Sequence, residues 1–240
     1  MTNTRSTSKA LANGKPSGPF RRFRAFLAAP PEPFLVTTRS KTRVQSLVDG
    51  AVPPATILNV GAGATYYGPR VVNVDIYDSG TINVIASALA LPFADNDADL
   101  VILQGVLEHV EDAQKTLAEC YRVLKPGGLF YTEMPFLQPY HESPIDMRRS
   151  TKPGLAKLCD PLIEVESGIH IGPASTMAWF LRELIARVIS GGRPGVYARA
   201  SSLVGWVLFP LRYADYVFEK LPHLHTVASS CYYVGRKKKA

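Results

Sequence analysis

The sequence of 240 residues contains few cysteines and no long apolar run. Cys120, Cys159 and Cys231 are odd in number and far apart, so they fit neither a disulfide framework nor a metal-binding motif. We therefore expect a reducing compartment and no metal site. A membrane-spanning helix needs roughly 18 or more consecutive apolar residues. Because no stretch reaches that length, we expect a cytoplasmic protein.

Acidic residues are missing from the start of the chain. Six basic residues precede the first acid, Glu32, and four more occupy positions 236–239. Basic ends favour anionic partners, such as a membrane surface in peripheral contact or nucleic acid, whereas solvated tails are the simpler explanation. We expect residues 1–36 to form a disordered or surface-lying basic segment, residues 37–236 the folded domain, and residues 237–240 a basic tail.

The middle of the chain alternates apolar strands with helical patterns. Strands are predicted at residues 56–60, 71–75, 81–86, 99–104, 129–134, 163–171 and 226–235, and helices at 37–47, 113–124 and 152–159. This alternation indicates an α/β fold with a doubly wound, mostly parallel seven-stranded sheet. A crossover helix normally needs a dozen or more residues. Because only residues 61–70 separate the first two strands, we expect the first crossover helix to be short or absent.

A helical insertion is predicted at about residues 173–223, before the last strand. Met177, Phe180, Leu184 and Val188 form an apolar stripe at helical spacing. We expect the insertion to be a lid over the core. A subunit interface and a contact with a membrane surface are the alternatives.

Four short motifs follow the predicted strands in a fixed order. Gly61 and Gly63 come after the first strand, and without Cβ atoms they let a ligand approach the backbone. Asp75 ends the second strand, where an acid can accept ribose hydroxyls. Leu91-Pro92-Phe93 and Leu107-Glu108-His109-Val110 complete the set, and the latter is expected to open a helix. The order and spacing resemble a class I S-adenosylmethionine-dependent methyltransferase of the group called type 11 methyltransferases.

The resemblance implies a Rossmann-like methyltransferase fold with S-adenosylmethionine as the cofactor. A nicotinamide cofactor fits poorly, because Tyr66 replaces the third glycine of the dinucleotide fingerprint. The implied cofactor-binding residues are Asn59, Gly61, Gly63, Asp75, Ser87, Leu91, Phe93 and Gln104. Among these, Ser87 stands where relatives commonly carry an aspartate that binds the adenine amino group. Asn59 likewise replaces an acid that often orders the glycine loop.

The acceptor side is expected in residues 135–150, because this loop leaves the fifth strand at the ligand-binding edge of the sheet. His141 is the candidate general base for a hydroxyl acceptor; a loop histidine that only shapes the pocket is the alternative. Tyr140, Asp146 and Arg149 are the candidate acceptor-binding residues. Glu108 and His109 are expected to be architectural.

The predicted function is methyl transfer to a small-molecule, saccharide or lipid-linked acceptor. Two alternatives stay open. Ser87, Asn59 and the short first crossover would also suit a non-catalytic binding or scaffold protein that keeps the fold. The basic ends would suit a nucleic-acid methyltransferase, although nucleic acid is the less favoured partner.

Overall fold

The computed structural model describes residues 32–141 and 144–239, which contain one seven-stranded sheet in the order β3-β2-β1-β4-β5-β7-β6. Strands β1 to β5 run parallel, while β7 is antiparallel to both β5 and β6. The strands are β1 (Ile57–Val60), β2 (Val71–Asp75), β3 (Val84–Ile85), β4 (Ala98–Leu103), β5 (Leu124–Pro135), β6 (Ile163–Ile171) and β7 (Ser230–Arg236). The predicted mostly parallel seven-stranded α/β fold is confirmed.

Six α-helices accompany this sheet in the described ranges. They are α1 (Thr38–Gly50), α2 (Ala113–Val123), α3 (Lys152–Leu158), α4 (Pro173–Ser190), α5 (Pro194–Leu208) and the short α6 (Asp215–Phe218). Side-chain oxygens of Thr37, Asp112 and Thr151 accept backbone hydrogen bonds at the starts of α1, α2 and α3. These caps satisfy N–H groups that have no partner inside the helix.

The helices cover both faces of the sheet. On one face, Val44, Leu47 and Val48 of α1 pack with alternate residues of the central strands. On the other face, α2 packs through its predicted apolar stripe, which includes Leu117 and Cys120. The sheet is therefore doubly wound.

No helix lies between β1 and β2. Residues 61–70 form turns and irregular backbone, and Gly61 has a φ of +68°. The expected loss of the first crossover helix is confirmed. Backbone N–H groups of this link therefore stand where a helix N-terminus would otherwise lie.

Three local predictions are wrong. The seventh strand begins at Ser230 and not at residue 226, because Leu224–Val227 form a short 3₁₀ helix. Residues 107–110 form a turn instead of opening a helix, and α2 begins only at Ala113. The carbonyl oxygens of Val110 and Glu111 accept hydrogen bonds from the Arg148 guanidinium, so they do not continue a helix. The third strand is reduced to Val84–Ile85, because β3 pairs only with the last two residues of β2.

The helical insertion occupies residues 173–218. Helix α4 buries its small side chains, Ala174, Ala178, Ala186 and Ser190, and leaves the stripe of large apolar residues outside. The carboxylate of Asp215 accepts hydrogen bonds at 2.8 and 2.9 Å from the N–H groups of Ala174 and Ser175, so the far end of the insertion caps its beginning.

The structure describes the C-terminal end of the chain up to residue 239 but little of the N-terminal basic segment. Most of the predicted N-terminal basic segment, residues 1–31, lies outside the described residues, as do Glu142, Ser143 and Ala240. Lys237 packs on the domain, since its Nζ donates to the carbonyl oxygens of Tyr121 and Leu124 at 2.6 and 2.7 Å. Among the helices of the described ranges, none has the length and apolar character that crossing a membrane requires.

Candidate active site

A groove of about 800 Å³ runs along the carboxyl ends of β1, β2 and β4. Four of the predicted cofactor residues line it: Gly61, Gly63, Asp75 and Ser87. In parallel sheets, ligands bind at this carboxyl edge, next to the point where the strand order reverses. The reversal here falls between β1 and β4.

Asp75 joins the glycine loop to the end of β2. Its Oδ2 accepts a hydrogen bond from the Gly63 N–H at 2.8 Å, and its Oδ1 accepts one from the Tyr77 N–H at 3.0 Å. A carboxylate offers about four lone-pair positions, so Asp75 can bind a further pair of donors from the groove.

The two glycines serve different purposes. A Cβ at Gly61 would collide with Cγ2 of Val106, whereas a Cβ at Gly63 would meet no atom within 4 Å. Both residues have positive φ, +68° and +51°, which disfavours any L side chain. Gly61 is required for packing between the β1 and β4 loops, and Gly63 keeps the groove open.

Asn59 and Gln104 are located away from the groove. Alternate side chains of a strand point to opposite faces, and Asn59 shares the α1 face with Ile57. Its Nδ2 donates to Oδ1 of Asn73 at 3.1 Å, and Asn73 in turn donates to the Thr65 carbonyl. Asn59 therefore helps to order residues 61–70 indirectly. Gln104 follows β4 on this same face, with its Nε2 2.7 Å from Oε1 of Glu133.

Leu91 and Phe93 also differ from the sequence interpretation, because both pack into the core and neither lines the groove. Their backbone is clamped by α2: Glu119 accepts from the Leu91 N–H, and Arg122 donates to the carbonyls of Leu91 and Phe93. This segment shapes the groove by fixing residues 86–89, which do line it.

The predicted acceptor residues form a second cluster beside the groove. Oδ2 of Asp146 accepts from the His141 N–H at 2.8 Å and lies 3.3 Å from Nδ1 of His141. Arg149 pairs with the same carboxylate. Burial raises the pKa of Asp146, but the hydrogen bonds and charge interactions with Arg149 and His141 have the larger combined effect. Together they lower the pKa of Asp146 to about 2. Tyr140 is largely exposed.

His141 extends this cluster to the turn after β4. Its ring meets that of His109 edge-on, with centroids 5.3 Å apart, and its Nε2 is 4.0 Å from Oε1 of Glu108. Burial lowers the pKa of His141 and raises the pKa of Glu108. Because His109 also lines the groove, the acceptor cluster and the cofactor groove adjoin.

A second cavity, of about 940 Å³, lies between α1 and the carboxyl ends of β4 and β5, and no sequence motif predicts it. Glu133 is its polar centre: the carboxylate accepts from Tyr131 and Gln104 at 2.7 Å and lies 3.1 Å from Nε2 of His170. Ser40 completes the chain at 2.7 Å from Nδ1 of His170. The sequence does contain one sign of this cavity, because Glu133 is an acid within a mostly apolar predicted strand. The side chains gathered around it, Ser40, Gln104 and His170, are remote in sequence, so their convergence is not predictable from spacing.

Comparisons with known proteins support a ligand-binding groove at this edge of the sheet. Residues 61–132 match the family described as a methyltransferase domain. Malonyl-[acyl-carrier protein] O-methyltransferase 1 of Coxiella burnetii is 42% identical over 73 residues, which cover 29% of this chain and 26% of that protein. Over residues 61–132 the chain is therefore similar to class I S-adenosylmethionine-dependent methyltransferases. The ubiquinone/menaquinone biosynthesis C-methyltransferase UbiE of Haemophilus ducreyi is 52% identical over 50 residues, 20% of this chain and 19% of that protein. The chain thus matches about a quarter or less of the length of these two relatives.

Solved structures extend the similarity of the methyltransferase domain to most of the chain. An S-adenosylmethionine-dependent methyltransferase from Archaeoglobus fulgidus has a TM-score of 0.51 at 16% identity, covering 82% of this chain and 92% of that one. The [4+2]-cyclase SpnF has a TM-score of 0.50 at 15% identity, covering 82% of each chain. Identities this low show the fold alone, and one fold hosts several reactions.

Proposed function

We propose that the chain binds S-adenosylmethionine in the groove and transfers its methyl group to an acceptor at the His141 cluster. The carboxylate of Asp75 carries this proposal, since it faces the groove at the end of β2 with capacity left for the two ribose hydroxyls. The open space beside Gly63 suits a ligand in contact with the backbone. A volume of about 800 Å³ also lies within the usual range for small-molecule sites.

The methionine end of the cofactor would lie against the backbone of residues 61–65, where the N–H groups of Gly61, Ala62, Gly63 and Thr65 already donate hydrogen bonds within the chain. Because no helix starts after Gly63, this backbone also lacks the added field of a helix dipole. Ser87 offers only a hydroxyl near the adenine end, and that oxygen already accepts the Leu89 N–H at 3.2 Å. We therefore expect weaker cofactor binding than in relatives with an acid at this position.

The bound cofactor supplies an activated methyl group, so the chain's task is to align the acceptor and exclude water. Gly105 lines the groove at the end of β4, next to His109. We propose that an acceptor that reaches this point is bound by His141, Tyr140, Asp146 and Arg149.

The outward face of the insertion supports a lipid-linked acceptor over a free small molecule or saccharide. Val188 is 73% exposed, Leu184 60% and Phe180 44%, and on α5 Leu203 and Val207 are both 69% exposed. Large apolar side chains that face outward along a helix mark interaction surfaces. Residues 173–210 also carry four arginines and a single acid, Glu183. Apolar and basic residues together match an anionic membrane surface.

Vesicle binding tests the membrane contact. The full chain should sediment with vesicles of phosphatidylcholine and phosphatidylglycerol, less so with phosphatidylcholine alone. The double variant Leu184→Ser/Val188→Ser should lose most of this binding. Val52→Ser is the matched control, because Val52 is equally exposed but lies outside the insertion. Binding unchanged in the double variant, or concentration-dependent dimerisation through this face without vesicle binding, would overturn the contact.

Methyl transfer is tested with cofactor labelled in the methyl group. The chain is incubated with a cell extract, which is then separated into lipid, glycan, small-molecule and nucleic-acid fractions. We expect label in the lipid fraction. Label in nucleic acid, lost steeply as salt rises, would favour the nucleic-acid alternative.

Ligand binding tests the non-catalytic alternative. A ligand at 100 times its Kd adds about 2.7 kcal/mol to stability. If millimolar S-adenosylhomocysteine leaves the melting temperature unchanged, the enzyme proposal fails. Stabilisation without label transfer to any fraction would favour a binding protein.

A further inference from the structure

Three ligating side chains converge beside the cofactor groove. Oε1 of Glu108 lies 3.9 Å from Nε2 of His109 and 4.0 Å from Nε2 of His141, and the three atoms all lie within 4.8 Å of one another. We propose that Glu108, His109 and His141 bind a divalent transition-metal ion.

The hydrogen bonds of His109 and His141 are made through Nδ1, which leaves Nε2 of each ring free to bind a metal ion. Nδ1 of His109 is 2.6 Å from the carbonyl oxygen of Ile145, an acceptor that calls for a proton on Nδ1. Nδ1 of His141 lies 3.3 Å from Asp146 and 3.4 Å from the Pro139 carbonyl, two acceptors again. Neutral imidazole with its proton on Nδ1 has its lone pair on Nε2. Carboxylates and carbonyls orient metal-binding histidines in this same way.

The buried carboxylate of Glu108 supports a cation independently of the distances between the three side chains. Its side chain is only 5% exposed, yet Oε2 has no hydrogen-bond partner among the described residues. Leaving a buried carboxylate oxygen unpaired is costly. Oε1 of the same carboxylate faces the two Nε2 atoms at distances too long for hydrogen bonds. A cation held by this carboxylate and the two Nε2 atoms would neutralise the buried group that carries the unpaired Oε2.

The spacing is compatible with coordination. Two donor atoms that each lie about 2.1 Å from one metal are at most about 4.2 Å apart. The two distances from Glu108 meet this limit, and the two Nε2 atoms lie within 4.8 Å of each other. Two imidazoles and one carboxylate favour Fe²⁺, Mn²⁺, Co²⁺ or Zn²⁺ and leave positions open for other ligands.

The open positions suggest a role that rests on the proposed function. A metal-bound hydroxyl has a lowered pKa. On binding, an acceptor hydroxyl would lose its proton to solvent; its oxygen would then form a bond to the methyl carbon as the carbon–sulfur bond of the cofactor breaks. In this arrangement the Nε2 of His141 holds the metal and does not act as the base. The proposal replaces the sequence-based expectation of no metal, which considered only the cysteines.

Cobalt binding tests the site without relying on activity. The full chain is freed of metal with EDTA, dialysed, and titrated with Co²⁺ by calorimetry and visible absorbance. We expect one equivalent per chain, and affinity at least tenfold lower in His109→Gln, His141→Gln and Glu108→Gln. Asp146→Asn, which leaves the three ligands in place but weakens the contact that orients His141 as well as the ion pair with Arg149, should weaken binding about 10–100-fold. His225→Gln is the matched control and should bind as the parent does.

Binding of S-adenosylhomocysteine is measured on the same preparations. Absence of stoichiometric Co²⁺ binding, or Co²⁺ binding that all three ligand variants retain, would overturn the metal site. Because the two ligands are titrated separately, failure of the metal site and failure of the cofactor groove give different results. Melting curves identify any variant that has not folded, and Asp146→Asn then supplies the decisive comparison.

Discussion

The carboxylate of Asp75 and the backbone N–H of Gly63 are joined by a hydrogen bond of 2.8 Å between Oδ2 and N. One residue ends β2 and the other belongs to the link after β1. This bond fixes the width of the groove before any ligand binds. Asp75 therefore orients the glycine loop as well as facing the groove.

Asp75→Asn should weaken binding of S-adenosylhomocysteine by about tenfold or more. Hydrogen bonds to a charged group contribute about 1.5–3 kcal/mol each, and the amide retains the shape but not the charge. Calorimetric titration measures the change. Asp78→Asn is the control, since Asp78 lies three residues on and does not line the groove. Equal affinity in Asp75→Asn and the parent would exclude ribose recognition by this residue.

Replacement of the two glycines should separate stability from binding. Gly61→Ala should destabilise the fold by about 1–3 kcal/mol, because its Cβ meets Val106 in a packed region. Gly63→Ala should fold with a smaller loss, about 1 kcal/mol, yet bind the cofactor poorly. Urea denaturation and calorimetry measure the two effects.

The double variant Gly61→Ala/Val106→Ala is the internal check on the glycine prediction. Removing the colliding methyl groups should recover part of the stability lost in Gly61→Ala. No recovery in the double variant would mean that backbone strain, not the contact with Val106, causes the loss.

Ser87→Asp should strengthen cofactor binding several-fold. Ser87 lines the groove, and an acid there gains a charged acceptor for the adenine amino group, with a net effect of about 1 kcal/mol. Affinity for S-adenosylhomocysteine is compared in Ser87→Asp and in Ser87→Asn, which has similar size without charge. Weaker binding in both variants would show that the adenine does not approach this position.

Low pH should weaken the hydrogen bonds that hold the backbone of residues 91–93 against Glu119 and Arg122. The hydrogen bond from Arg122 is the main cause that lowers the pKa of Glu119 below its usual 4.5. A lowered folded-state pKa gives stability that is present above pH 4.5 and is lost as pH falls through the folded-state value. The melting temperature should therefore drop below pH 4.5 by more in the parent than in Glu119→Gln. Parallel curves for the two proteins would contradict this.

The strands were predictable because their signals are local. Predicted residues 71–75 and 163–171 coincide with β2 and β6: β2 is a short apolar run that ends at Asp75, and β6 alternates apolar and polar residues at its two ends. The turn at 107–110 was mispredicted, because its backbone partners come from Arg148, which is remote in sequence. Contacts between distant segments override local helical propensity.

The site was predictable in its backbone and less so in its side chains. Gly61, Gly63 and Asp75 sit at fixed places at the end of strands, so the motif alone located them. Gln104 lies at an equally favourable place, but strand alternation turns it towards Glu133. The convergence of Glu108 with His141 depends on how the loop after β5 folds back, which no spacing within the sequence expresses.

Strands β6 and β7 are neighbours in the sheet although residues 172–229 separate them, and Ile171 pairs directly with Ser230. Relative to a short hairpin turn, closing a loop of that length costs about four doublings at ~0.6 kcal/mol each. This entropy is small beside the stability of a domain, so the sheet tolerates the added segment. The inserted helices leave and rejoin the domain at one point, beside the end of β5 at the carboxyl edge of the sheet, and Trp179 of the insertion packs against His141. Exchange of this segment would therefore change the outer surface and the acceptor side of the site together, while Gly61, Gly63 and Asp75 at the ends of β1 and β2 stay unchanged.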